Sequence, residues 1–195
     1  MKHLFLLASL FCTLMACGDK QLSRQEIITD YYGARDARNF TKIKTLIADS
    51  ITITAGDYIM PYTRESFYEV FKWDSVFRTS YEVVELEESG KRIVASISIS
   101  SGRHEFLKND PMQCRYGISF DSGKISKIEE LECKDTDWNA WQAERDTLVS
   151  WTKKNHPELD GFINDMTMEG AQNYVKAIEL YKSDKITQEA NVEQP

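Results

Sequence analysis

The sequence predicts an α+β fold, and three observations carry that expectation. Apolar residues recur at helical spacing through most of residues 24–76, broken by one alternating stretch, "ITITA". From residue 80 to 134 the period falls to two, so that "SYEVVELEES", "KRIVASISISS", "QCRYGISF" and "KISKIEELE" read as successive antiparallel strands with one face half buried. The helical period then returns in "DWNAWQAERDTLVSWTKKN". Helices, then a run of strands, then helices again describe a sheet with helices packed on it.

Taken in order, the chain opens with Lys2, His3, the apolar run "LFLLASLFCTLMA" and small Ala16 before Cys17. A basic start, a run too short to span a bilayer and a small residue at its end make an export signal. Leu14, Met15, Ala16 and Cys17 resemble the lipobox of bacterial lipoproteins. That resemblance implies that residues 1–16 are a cleaved signal peptide and that Cys17 carries acyl chains, palmitate among them. The lipid bilayer is then a partner and the location is the cell envelope. Gly18 in place of Asp favours the outer membrane of a Gram-negative bacterium in such proteins. Two or more acyl chains anchor stably where one is marginal. Polar residues 17–24 form the tether.

The folded part spans 25–134. Ser23 as N-cap with Glu26 three residues on is a capping box, and Ile27, Ile28, Tyr31, Tyr32 and Ala34 continue the helix to about Arg38. Phe40, Ile43, Leu46 and Ile47 mark a second, short helix. Pro61, Thr63 and Ser66 start a third, with Phe67, Val70 and Phe71 on one side. In the strands, Ile93, Ala95, Ile97 and Ile99 share a face opposite the serines. Carrying that alternation on puts His104 outside, as a surface residue. Cys114 and Cys133 share a hairpin around "DSG", in a compartment that permits oxidation. Its registers set Cys114 opposite Glu130 or Leu131, which argues against a relaxed bridge.

In residues 135–182, Trp138, Trp141, Leu148 and Trp151 make one helical stripe, Pro157 opens a short turn, and Thr167 caps a last helix bearing Ala171, Tyr174, Val175, Ile178 and Tyr181. An aromatic stripe at this spacing is packing before it is a cofactor box; these helices are expected to cover the sheet's second face or edge, or to serve a partner. Residues 183–195 lack periodicity and read as a disordered tail.

With 24 basic and 31 acidic residues the net charge is −7, and no basic run with interleaved aromatics offsets it, which excludes nucleic acid as a partner. His104 and His156 have no ligand-like spacing to Cys or His, and neither a phosphate loop nor a nucleophile elbow occurs. No metal or cofactor is therefore expected.

The stretch "DYYGARDARNFTKIKTLIADSITIT", with Tyr31, Tyr32, Arg35, Asp36, Asn39, Phe40, Leu46, Ala48 and Asp49, resembles the opening of the NTF2-like superfamily. That superfamily includes the SnoaL-like cyclases and ketosteroid isomerase. The resemblance runs to the closing hairpin "FDSGKI" and implies a cone: a curved antiparallel sheet wrapped on three N-terminal helices, here with a C-terminal helical extension. Matched without gaps from the first helix, Tyr31 falls on the family's catalytic tyrosine and Ala55 on its base, and with the hairpin aligned at Phe120 the second acid falls approximately on Tyr116. With no carboxylate at Ala55, the resemblance implies no catalytic residue but a pocket for a small apolar or aromatic ligand, bound by Tyr31, Tyr58, Trp73 and Tyr116, or else an envelope protein partner. Its rival is an isomerase, dehydratase or cyclase using Tyr31 and Tyr116 as an oxyanion site and Asp57 as a displaced base. A third reading is an accessory subunit docking through the Trp-bearing helices.

Overall fold

Ser23 opens helix α1 (Arg24–Asp36) as its spacing to Glu26 requires: its hydroxyl accepts from the Glu26 amide at 3.1 Å while the Glu26 carboxylate accepts from the Ser23 amide at 2.7 Å. The computed structural model describes residues 22–192; the expected signal peptide and Cys17 lie outside them. Asn39 caps α2 (Phe40–Leu46), which leads directly into β1 (Ile47–Ala55). Strand β2 (Tyr58–Thr63) folds back on β1, and Thr63 then caps α3 (Arg64–Val76). Strands β3 (Ser80–Ser89) and β4 (Arg92–Ser100) form a hairpin, followed by the short helix α4 (Gly102–Phe106) and the hairpin of β5 (Met112–Asp121) and β6 (Lys124–Lys134). Helix α5 (Trp138–Asn155), two single-turn 3-10 segments and α6 (Met168–Val192) complete the chain.

The six strands form one curved, unclosed sheet in the order β2-β1-β6-β5-β4-β3. Its concave face meets α1, α2 and α3 in a core that contains Ile28, Tyr31, Ile43, Ile51, Phe67, Ile93, Ile97, Cys114, Ile118 and Ile125. Ile51, Ile118 and the Ile93 to Ile99 series point inward, as the alternation predicts. One neighbour relation differs from an all-antiparallel sheet: β1 runs parallel to β6. Strand β2 also escapes the periodicity. It holds Pro61 and pairs on one side only, with β1, the edge position where a missing amide costs no ladder bond.

Cys114 and Cys133 are bonded, with their Cα atoms 4.0 Å apart, which corrects the hairpin registers read from sequence. At the turn the register is one of those expected, with Phe120 opposite Ile125. Irregularities between Arg115 and Tyr116 and between Ser119 and Phe120 leave Ser126 and Leu131 without opposite numbers, and each advances β6 by one residue. Two bulges thus bring Cys133, not Leu131, opposite Cys114.

The C-terminal helices build a second core instead of covering the sheet's outer face. Leu148, Leu159, Phe162, Ala171, Tyr174, Ala177 and Ile178 pack there with Phe77 from the end of α3 and with Phe106 and Leu107 at α4. Trp141 touches both cores. Helix α6 continues to Val192, correcting the disordered tail at 183–195 for the described part of it. Its polar half is tied down locally: Asp184 accepts from Trp151 Nε1 at 3.0 Å and from Gln188 Nε2 at 2.8 Å. Among the described residues no helix is long and apolar enough to cross a membrane.

Candidate functional site

Apolar stripes on α1 and α3 are each interrupted by one charge at the buried spacing. Arg35 falls four residues after Tyr31, and Asp74 three after Phe71, so both last turns present a charge toward the concave side of the sheet. They meet there. Asp74 Oδ2 accepts from Arg35 Nη2 at 3.0 Å and from the Tyr81 hydroxyl at 2.6 Å, while Oδ1 accepts from Thr79 Oγ1 at 3.3 Å. The Arg35 guanidinium also lies 4.4 Å from the Tyr81 ring centroid. Burial works against the Asp74 charge, but Arg35 and the Tyr81 hydroxyl outweigh it and hold the carboxyl below its usual range. Burial dominates at Tyr81 and keeps its hydroxyl a proton donor.

These groups form one wall of a cavity of about 360 Å³, within the size range of small-molecule sites. Ile53, Thr54 and Ala55 at the end of β1, Phe67 and Val70 of α3, Ile99, Met112 and Ile128 supply the apolar lining. Tyr32, Tyr116, Glu130, Arg103, His104, Trp138 and Trp141 complete it. Burial, and then the nearby Glu130, push the Tyr116 pKa well above the ordinary tyrosine value, so the phenol stays protonated. Burial likewise raises the Glu130 carboxyl.

His104 is not the surface residue that strand parity suggests. The alternation of β4 ends at Ser100, Ser101 caps α4, and the first turn of that helix swings His104 inward to 5% exposure. Its amide donates to Ser101 Oγ at 3.1 Å and its Nδ1 lies 3.0 Å from the same oxygen. Burial, then the charge of Arg103, lower its pKa to about 4, so the ring is neutral at pH 7.

Of the four residues expected to touch ligand, Tyr116 lines the cavity. Tyr31 lies beneath it, fully buried, edge-on to Tyr32 at 5.1 Å, and its hydroxyl has no well-formed hydrogen bond, with Arg35 the charge acting on it. Tyr58 and Trp73 do not reach the cavity. Tyr58 is 75% exposed beside the β1–β2 turn, because the strand formed by 58–63 carries it to the sheet edge. Trp73 lies on the side of α3 facing the second core and donates from Nε1 to the Asp165 carbonyl at 3.2 Å. Asp57, the displaced base of the rival reading, is exposed in that β1–β2 turn, away from the cavity. The sequence reading missed Asp74, Tyr81, Arg103, His104 and Glu130. For Asp74 the signal was present: a carboxylate at the i+3 position of an otherwise apolar stripe.

A second depression of about 500 Å³, between α3, α4 and α6, shares Arg103 with the first and is otherwise lined by Val76, Phe77, Val175, Ile178, Glu179 and Lys182 among others. It lacks the hydroxyl and carboxyl cluster of the first.

No family model and no curated protein matches this sequence. Among solved structures, the chain is similar to an NTF2-like protein of unknown function from Cytophaga hutchinsonii, at 12% identity over 58% of this chain and 92% of that one, with a TM-score of 0.47. An uncharacterised cystatin-fold protein from Novosphingobium aromaticivorans gives 13% identity, 57% and 99% coverage and a TM-score of 0.47. IdmH, a candidate polyketide cyclase from Streptomyces antibioticus, gives 14%, 63% and 97%, and 0.46. Likeness at this level concerns the outline of the fold, and no activity follows from it.

Proposed function

We propose that the protein is a lipid-anchored binder that takes a small ligand, apolar or aromatic with one polar end, into the cavity of its cone. The observation that carries this reading is the cavity itself. Apolar side chains make up much of its lining, and its charged pair, Arg35 and Asp74, is joined by an internal hydrogen bond, so it offers a shaped recess. Attachment through acylated Cys17 would hold that recess at the envelope. Native mass spectrometry of protein purified without denaturation tests the binding. The expected result is a bound small molecule on the wild type that is absent from Ala55→Trp, whose indole would fill the recess; bare masses for both would overturn the reading. For the anchor, membrane-extracted protein should begin at an acylated Cys17, whereas a soluble chain retaining Met1 would contradict it.

The isomerase, dehydratase or cyclase reading has one observation in its favour: the raised carboxyl of Glu130 shares the cavity with protonated Tyr116. There Glu130, in place of Asp57, would take a proton α to a carbonyl while Tyr116 donates to the oxyanion. Turnover of a cyclic ketone, lost in Glu130→Gln with binding retained, would establish it.

A further inference from the structure

The two arginines of the cavity are held in opposite ways. Arg35 is neutralised by Asp74 at 3.0 Å. Arg103 has no carboxylate within ion-pair reach among the described residues. Its guanidinium carbon sits 5.0 Å from the ring centroid of Trp73, 5.1 Å from Phe77 and 5.5 Å from Trp141, so three aromatic faces fix its orientation. Its Nε is buried without a hydrogen-bond partner among the described residues, and the contact of Nη2 with His104 Nε2 is long at 3.5 Å. A guanidinium carries five donors and keeps its charge in proteins. Leaving such a group among aromatic rings with its Nε unpaired costs stability unless an acceptor arrives from outside.

We propose that the ligand of the cavity carries a carboxylate and that Arg103 is its anchor, which makes the ligand class an aromatic or short aliphatic organic acid. This rests on the binding reading above and specifies it. A planar carboxylate matches the guanidinium fork. Ile53, Phe67, Ile99, Met112 and Ile128 would meet the apolar part. The charges around the site permit the anion. Asp74 is matched by Arg35, His104 is neutral, and Glu130, the other acidic residue on the lining, stands beside Tyr116 with its carboxyl raised by burial, which favours its neutral form.

Isothermal titration with benzoate and 2-naphthoate against benzamide and 2-naphthamide tests this. The wild type is expected to bind at least one acid tenfold or more tightly than its amide. Arg103→Met, which keeps the stem against the rings, should abolish that preference, the acid losing at least tenfold more affinity than its amide. Arg103→Lys should keep part of it and serves if the methionine variant does not fold. Equal binding of acid and amide, with no effect of either substitution, would overturn the anchor while leaving the cavity reading intact. No binding of any of the four probes would overturn both. Acid binding that survives Ala55→Trp but is lost in Arg103→Met would move the ligand to the depression beside α6 and overturn the assignment to the cone.

Discussion

The two cores on either side of α3 differ in what they leave open. The C-terminal core closes around Leu148, Phe162, Ala171 and Ala177, with Tyr174 edge-on to Phe77 at 5.5 Å, and the depression beside α6 lies at its margin, against Phe77, Val175 and Ile178. Beneath the sheet, the apolar layer of Ile28, Ile43, Ile51 and Ile118 is equally dry, but above it the packing stops at a cavity rimmed by Arg35, Asp74, Tyr81, His104 and Tyr116. A core with only a structural task fills its space, because every void forfeits contacts. Where space persists beside buried charges, stability has been given up locally, and the second core holds α3 and α4 in place around the gap.

The largest expected effect breaks the filled side. Leu148→Ala, at a fully buried position, should cost about 4 kcal/mol by urea unfolding, whereas Met112→Ala, which only enlarges an existing cavity, should cost about half that. Next comes the sheet under the site. Cys114 and Cys133 are 19 residues apart, and Cys133→Ser should lower stability by about 3 kcal/mol, measured against the oxidised wild type.

Much of this organisation was legible in the sequence, and the rest was hidden for local reasons. The Ser23 and Glu26 box, the alternation of Ile93 to Ile99 and the stripe of Ala171 to Tyr181 each report one element through its own period. Ser126 and Leu131 carry no such signal. A bulge is set by the cross-strand partner, so the disulfide that depends on two of them was misread. His104 was lost the same way, because the turn at Ser101 ends the strand parity on which its placement relied. Arg35 and Asp74 were visible as charges on buried faces, but their meeting required the sheet to bring the ends of α1 and α3 together. Tyr58 and Trp73 show the converse: aromatic residues near a cavity in sequence, directed elsewhere by an edge strand and by a second core.

Smaller effects sharpen the polar side. Asp74→Asn leaves the Arg35 charge without its partner and should cost about 2 to 3 kcal/mol, with part recovered in Arg35→Met/Asp74→Asn; equal losses in the single and double variants would deny the coupling. Acidification reads His104. With its native pKa lowered from 6.5 to about 4, the unfolded chain binds the proton first, so the stabilisation is complete above pH 6.5 and is lost as the pH falls toward 4. Between pH 7 and pH 5 this should amount to about 2 kcal/mol, and His104→Gln should flatten that interval. Asp74 acts in the same direction but at lower pH, below the usual carboxylate range, and the raised Glu130 opposes both.

The space under the sheet and the depression beside α6 are separable as places for the proposed ligand. Methyl-resolved NMR of isoleucine-labelled protein during a titration with 2-naphthoate tests directly which of them receives it. The expected result is that Ile53, Ile99 and Ile128 shift together and saturably while Ile178 stays in place. Shifts confined to Ile178, or none at any of the four, would contradict it.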